Sequence, residues 1–412
     1  MFFTEEIDMA QAPIHPQSTF SHIFVMVFHT IISWFSSLVG ALFPNDSAGI
    51  ITTQAPTTQR SITPAPIMTC EPTIPLLSLP DNEIIRKLRE MKLEEILKFS
   101  LISERSKNLV KSIQIKSTSL TVSVHNEISI CMEIASKVLR LRYYLEPDMY
   151  WGMGAYGRKK RLTAPQSALV DVMHLDGESE EIDDFEEFLK NSELEKRDFT
   201  MQNWLDHLQQ IFDYAKVDHL TFTSNSPEFD IDDIEKLFRN TPHVLIGDTG
   251  CFAFNQLVLQ KFSPIETLEI GTSDFQNFKI PDNIFMENFT ELHIREREEE
   301  TKTSMKLNDM LLINSKEIGI GSFHMSAQQL NKFLKLWMKG SNPNMEYLAI
   351  YYYGENELDN EIIMKGIKHR VVGGGIDVVR MDGVKATIQF SNSHSLPTVE
   401  MIVWFDHCVE ES

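Results

Sequence analysis

The 412-residue chain has few cysteines and few basic residues, and each shortage excludes a class of protein. Its four cysteines lie far apart in sequence, so no close pair of thiols offers a disulfide framework or a zinc site. Lysine and arginine number 38 against 59 acidic residues, which gives a formal net charge of -21. A nucleic-acid-binding surface needs a basic face, and we therefore expect no nucleic-acid partner.

The sequence also lacks the patterns that are typical of catalysis. It contains no P-loop, no nucleophile elbow and no zinc motif. Gly152, Gly154 and Gly157 match the spacing of a dinucleotide-binding loop, but basic residues and Pro165 follow them, so the sequence does not predict the helix that such a loop requires. We predict a protein that is not an enzyme, with no catalytic residues, no metal site and no cofactor.

Residues 1–73 form an N-terminal extension that contains a long apolar stretch, Ile23–Phe43. This stretch has no formal charge and is long enough to span a bilayer, although its polar residues lower its hydropathy toward the threshold for insertion. The segment that follows is rich in Thr, Pro and Ala and predicts a disordered linker. Two alternatives stay open for residues 23–43: a membrane-spanning helix, or an apolar extension that never inserts.

Residues 75–113 predict three short amphipathic helices. Pro80 suits a helix start because a proline lacks the N–H group that would have no partner in the first turn, and Ser103 can cap the third helix. Apolar residues recur at helical spacing between these two signals. About forty residues are too few for an enzyme site and too apolar to stay solvated alone, so we expect this module to complete its core against a partner.

This segment resembles an F-box, the motif by which substrate receptors attach to the Skp adaptor of cullin-type ubiquitin ligases. The Leu79-Pro80 start, the lengths of the three helices and the Leu-Ile-Ser-x-Arg run at residues 101–105 carry the resemblance. Glu83 and Lys87 stand where many F-boxes have apolar residues. Ser106 stands where many have Trp, a departure that the large nematode branch of the family shares. The resemblance implies that the adaptor is bound by Leu77, Leu79, Pro80, Ile84, Ile85, Leu88, Ile96 and Leu101.

The C-terminal part resembles the F-box-associated domain that the nematode branch carries after its F-box. Residues 330–350, residues 376–390 and the Trp204–His207 segment carry this resemblance. It implies a domain that recognises a target protein.

An apolar-x-apolar motif recurs through the same region at intervals of about 24 to 30 residues, which is the range of leucine-rich repeats. Regular repeats of that kind place an asparagine after the strand, and these lack it, so we expect a degenerate stack of strands and helices. An Asp382-Gly383 turn between apolar strands predicts an antiparallel cap at the C-terminal end, and residues 120–172 are candidates for a cap at the other end. The six motifs begin at Leu220, Val244, Leu268, Leu292, Ile318 and Leu348.

Together these patterns predict a mixed α+β and α/β protein with three parts. Residues 1–73 are the extension, residues 74–115 the small three-helix F-box, and residues 116–412 the leucine-rich-repeat-like domain with its antiparallel β cap. The predicted function is that of a cytoplasmic substrate-recognition subunit, anchored to a membrane if residues 23–43 insert. Its partners would be a Skp-family adaptor, a cullin through that adaptor, and an unknown target protein. The alternative is a membrane-tethered protein-interaction scaffold without a ligase role.

Overall fold

The computed structural model describes residues 76–144, 160–162, 165, 167–174, 193–196, 198–296, 305–322, 325–352, 359–392 and 397–406. Their helices and strands belong to one compact unit, Thr73–Ser412. The apolar stretch 23–43 and the glycines at 152–157 lie outside the described residues. Within the described ranges, no helix is both long enough and apolar enough to cross a bilayer.

The chain first forms the three predicted short helices, which we call the helical module. They are α1 (Asp81–Leu88), α2 (Leu93–Ser100) and α3 (Glu104–Ser112). In α1, acidic residues occupy the first turn and basic residues the last, which complements the helix dipole. Ile84 and Leu88 lie one turn apart on α1 and are fully buried, so this face of the helix builds the core.

After the helical module the chain enters an antiparallel group of strands. These are β1 (Ser119–Val124), β2 (Ile128–Ile134), β3 (Lys137–Tyr143), β4 (Ser167–His174) and β5 (Glu193–Glu195). Each strand pairs with its neighbour in chain order. The N-terminal end of the sheet is therefore antiparallel, and residues 120–172, the candidates for a cap at this end, form strands of the sheet itself.

Strands and helices then alternate through the middle of the domain. The helices are α4 (Met201–Ile211), α5 (Ile231–Phe238), α6 (Phe252–Lys261), α7 (Asp282–Phe285), α8 (Leu307–Leu312), α9 (Ala327–Trp337) and α10 (Asn360–Met364). The strands are β6 (His219–Phe222), β7 (His243–Ile246), β8 (Thr267–Gly271), β9 (Glu291–Arg295), β10 (Glu317–Ser322) and β11 (Tyr347–Tyr352). All six strands are parallel, and β6 also pairs in parallel with β1.

The register of these strands confirms the predicted repeat. The first apolar residue of every motif lies beside its equivalent on the next strand, from Leu220 through Leu268 and Leu292 to Leu348. All four leucines are buried, and the alternate side chains of the same strands point to the opposite, outer face of the sheet. The apolar row therefore packs against the helices, as in a stack whose units bury their apolar faces against one another.

The chain ends in a second antiparallel group. It consists of β12 (Arg370–Val372), β13 (Gly375–Val379), β14 (Lys385–Asn392) and β15 (Pro397–Trp404). The antiparallel strands predicted for this end are present, and they continue the same sheet, because β15 pairs directly with β11. The described strands thus form one 15-stranded sheet in the order β12-β13-β14-β15-β11-β10-β9-β8-β7-β6-β1-β2-β3-β4-β5.

Polar side chains other than asparagine satisfy the backbone after several parallel strands. Ser226 Oγ accepts a hydrogen bond of 2.8 Å from the Thr223 amide, and the Asp274 carboxylate accepts bonds of 2.7 Å from the amides of Gly271 and Asp248. Buried backbone amides need hydrogen-bond partners. These side chains therefore take the role that asparagine has after the strands of regular leucine-rich repeats.

Candidate functional site

The start of the helical module is held by Arg105, the arginine of the Leu-Ile-Ser-x-Arg run. Its guanidinium donates to the Leu77 carbonyl at 2.9 Å and to the Asp81 carboxylate at 2.6 Å. The segment that contains Leu79 and Pro80 lies between these two contacts, and Pro80 is the N-cap residue of α1. The arginine therefore fixes the shape of the Leu-Pro start.

Ser103 and Ser106 shape the turn between α2 and α3. The Ser103 amide donates to Ser106 Oγ at 2.8 Å, and the Ser106 amide donates to Ser103 Oγ at 3.1 Å. This reciprocal cap starts α3, as the sequence predicted for Ser103. Ser106, the residue that departs from the general F-box pattern, is fully buried and takes part in the cap, which gives this departure a structural role.

The structure divides the eight predicted adaptor-binding residues into two groups. Ile84, Leu88 and Ile96 are buried within the chain, so in this structure they support the helices instead of facing a partner. The sequence could not separate the two groups, because it does not show that α2 packs against β4 and α3 against α4, elements that come much later in the chain. Those that keep exposed surface are Leu77, Leu79, Pro80, Ile85 and Leu101.

Sequence reasoning missed the most exposed apolar side chain of the module. Ile102 lies in the turn after α2 and is 61% exposed. Its position next to Leu101, outside the helical periodicity, gave no signal in the pattern of apolar residues. An isoleucine this exposed in an apolar run is a strong candidate contact residue.

A buried polar joint links the helical module to the sheet domain. Ser100 Oγ on α2 lies 2.7 Å from His207 Nε2 on α4, and the same hydroxyl donates to the Leu97 carbonyl. Because the hydroxyl hydrogen is used there, His207 donates through Nε2–H. Burial, and then the charges of Lys107 and Lys196, lower the pKa of His207 to about 4, so this histidine is neutral at pH 7.

A second contact closes the same joint. Lys196 follows β5 and donates to the Leu101 carbonyl at 2.9 Å. The turn that carries Leu101 and Ile102 is thus tied to the edge of the sheet. The two contacts hold the helical module in a defined orientation to the sheet domain.

The outer face of the parallel strands is polar and its charges are largely paired. The rings of His219 and His243 lie 4.6 Å apart between centroids, and burial lowers the pKa of both, that of His219 to about 4. Arg295 Nε lies 3.0 Å from a Glu269 carboxylate oxygen. Within the described ranges, no three His, Cys, Asp or Glu side chains are placed to hold a metal ion.

Comparison with known protein families gives a match to part of the parallel stack. Residues 280–350 match a protein family described as F-box associated. The match runs from just before α7 into β11, the last parallel strand, and so covers three consecutive parallel strands with their helices. No solved structure is significantly similar to this chain.

A curated relative extends the similarity over most of the chain. It is the F-box associated domain-containing protein sdz-33 of Caenorhabditis elegans, which is 22% identical over 353 residues. The alignment covers 79% of this chain and 98% of the relative. The family match lies where the strand stack was predicted to resemble an F-box-associated domain. Residues 280–350 are thus similar to F-box associated domains, and most of the chain is similar to a nematode protein that contains such a domain.

Proposed function

We propose that the protein is a substrate-recognition subunit of a Skp–cullin–F-box ubiquitin ligase. The helical module binds a Skp-family adaptor, and a cullin through it, while the leucine-rich-repeat-like sheet domain holds a target protein. The chain itself is not catalytic in this assembly. One observation supports the proposal above the others: a Leu-Pro start fixed by Arg105, with apolar side chains left exposed, is joined rigidly to an F-box associated domain.

The adaptor-binding surface is the testable part. Leu79→Ala with Pro80→Ala removes apolar contact area at the fixed start of α1 and should abolish recovery of a Skp-family adaptor in a direct pull-down with the purified full chain. The sheet domain should keep its thermal unfolding transition, because neither side chain is fully buried. A wild-type chain that binds no adaptor would refute the ligase role.

An alternative function is a membrane-tethered interaction scaffold without a ligase role, and the uncharged stretch Ile23–Phe43 is the observation that favours it. Resistance to carbonate extraction together with absent adaptor binding would support the scaffold.

The ligase role requires a cytoplasmic location, where the adaptor and cullin are. Asn288 is exposed and begins an Asn-Phe-Thr acceptor sequence for N-linked glycans. It provides a test, because such sites carry glycans only on the lumenal side of the membrane. We expect no glycosidase-sensitive mass shift in the full chain from animal cells. A shift that disappears in Asn288→Gln would place the domain in the lumen and contradict the proposal.

A further inference from the structure

Large apolar side chains are exposed at the C-terminal end of the sheet. Val371 is 70% exposed, Met381 80% and Trp404 40%, and Val372 and Val379 are similarly open. We call these five residues the C-terminal apolar surface. They lie on β12, β13, β15 and the turn after β13; the register places Val371 on one face of the sheet and Val372, Val379 and Trp404 on the other, with Trp404 three strands from β12.

The register shows how the surface is arranged. Val379, Lys385 and Trp404 are aligned across β13, β14 and β15, so their side chains share the outer face of the sheet. Trp404 Nε1 donates to Thr387 Oγ1 at 2.9 Å, and that hydroxyl donates to the Asp377 carboxylate at 2.8 Å. The indole N–H is therefore satisfied within the chain and the ring is held in place. A fixed, partly exposed tryptophan is typical of the side chains that dominate binding energy at protein interfaces.

The surroundings of this surface are basic in an acidic protein. Lys365, Lys368, Arg370 and Lys385 are exposed, and none forms an ion pair with a described residue. The acidic residue nearest in sequence to Lys385, Asp382, is already bound to Arg380 at 2.9 Å. Asp377 lies beside Arg370 in the register but forms no ion pair with it, and the remaining excess of positive charge in a chain of net charge -21 favours a partner of opposite sign.

The same surface includes a free sheet edge. β12 is the last strand of the sheet, and Gly373-Gly374 forms the two-residue loop that joins it to β13. In such a hairpin the pair next to the loop, Val372 and Gly375, exchanges backbone hydrogen bonds. The next pair, Val371 and Ile376, does not. The N–H and C=O of Val371 therefore point away from β13, where a further strand would receive them.

We propose that β12 and the C-terminal apolar surface bind an extended, acidic segment of a partner protein, which adds a strand to the sheet. The segment would bond to the backbone of Val371, place apolar side chains beside Val371 on one face of the sheet and carboxylates beside Arg370 on the other, while Lys385, two strands further into the sheet, attracts the carboxylates at longer range. Strand addition of this kind draws affinity from the backbone and specificity from alternate side chains. The proposal rests on the proposed function only in identifying this partner as the ligase substrate.

Two other occupants fit the observations less well. Basic residues on an edge strand repel the same strand of a second copy, which disfavours edge-to-edge pairing of two identical chains. An anionic membrane would suit the basic and apolar side chains, but lipid offers no partner for the backbone groups at the β12 edge. An acidic peptide satisfies the charge, the apolar area and the backbone together.

The test uses the full chain and two labelled octapeptides, one alternating Glu and Val and the other alternating Lys and Val. Fluorescence anisotropy should show binding of the Glu-Val peptide and at least about tenfold weaker binding of the Lys-Val peptide. Arg370→Glu with Lys385→Glu, and separately Val371→Pro, should each weaken the Glu-Val complex by about tenfold or more. Val371→Pro removes the outward N–H of residue 371. Because this N–H is not hydrogen-bonded to β13, the pairing of β12 with β13 should be unchanged. Circular dichroism melts establish that each variant is folded.

Lys111→Glu on α3 is the control, an exposed lysine in the helical module, which packs at the opposite end of the sheet from β12, and it should leave the affinity unchanged. Equal binding of both peptides, no binding by the wild-type chain, or full binding by Val371→Pro would overturn the proposal. Co-flotation of the chain with phosphatidylserine vesicles tests the membrane alternative. If Arg370→Glu with Lys385→Glu abolished co-flotation while Val371→Pro left it intact, the proposal would be overturned in favour of a membrane. Peptide binding without adaptor binding would refute the ligase role and leave this inference standing.

Discussion

The two antiparallel ends of the sheet differ in what covers their side chains. At the N-terminal end, Arg140 forms three hydrogen bonds of 2.9 to 3.2 Å with Asp171, which is only 8% exposed, and the helical module packs on β4. At the C-terminal end, Val371 and Trp404 stay exposed and neighbouring basic side chains have no ion pair with a described residue. The end whose charged and apolar side chains are paired or covered within the chain serves as a support. The end whose side chains stay exposed is suited to binding a second molecule.

Core truncation in the middle of the sheet tests whether the two ends fold together. Leu292→Ala should lower the free energy of unfolding by about 2–5 kcal/mol, as for other buried leucines. Leu257→Ala on α6 removes an exposed side chain and should change it by less than about 0.5 kcal/mol. Urea denaturation measures both. Hydrogen exchange in Leu292→Ala should rise in β2 and β14 alike, and a rise in only one would show that the ends are independent.

Acid should weaken the support at the N-terminal end. The unfolded chain protonates histidine near pH 6.5, whereas folded His207 resists protonation down to about pH 4, so stability from this residue is present above pH 6.5 and is lost as the pH falls toward 4. The loss is on the order of 3 kcal/mol for one such buried histidine.

His207→Gln isolates this contribution, because the amide can still donate to Ser100 but does not titrate. The difference in unfolding free energy between wild type and variant should shrink between pH 6.5 and 4. Asp274, whose pKa burial raises to about 6, acts in the opposite direction in both proteins and cancels in this difference. If the difference in unfolding free energy stayed constant with pH, protonation of His207 would cost the folded protein no stability, which would contradict this prediction.

The C-terminal end has one strong internal contact of its own. The Arg380 guanidinium lies 5.3 Å from the Trp337 ring centroid and 5.6 Å from that of Phe405, and is 5% exposed. Arg380→Leu should cost about 1–2 kcal/mol through the lost cation–π contacts. Arg380→Lys keeps the charge but loses the planar guanidinium, so its melting temperature should lie between those of the wild type and Arg380→Leu. Equal stability of all three proteins would contradict a role for this stack.

The smallest effect is expected where the polar contacts are exposed. Asn314 accepts from Asn344 at 2.9 Å and donates to Asn288 at 2.5 Å, which forms an amide ladder across the starts of three strands. Asn314→Ala breaks both bonds but leaves its partners in water, so the cost should be about 1 kcal/mol or less. A loss as large as that of Leu292→Ala in urea would show that this ladder holds the stack together.

The sequence predicted most of the stack because each parallel strand carries the same apolar-x-apolar motif. Leu220 and Leu348 could be assigned to equivalent buried positions without a structure, and the Ser103 cap followed from its residue type. The contacts that close the molecule could not be predicted, since His207 meets Ser100 across 107 positions of sequence. Ser226 and Asp274, which replace the repeat asparagine, occur at irregular offsets and leave no periodic signal.

The central claim is that one end of this chain binds an adaptor while the other end binds a different protein. Quantitative pull-down with a Skp-family adaptor tests it most directly, using the wild type, Ile102→Glu, Met286→Glu and the Arg370→Glu/Lys385→Glu pair. Ile102 and Met286 are 61% and 54% exposed, so the two substitutions are matched in burial and differ in place. We expect adaptor binding to be lost only in Ile102→Glu. Equal adaptor binding by Ile102→Glu and Met286→Glu, or none by the wild type, would contradict the account.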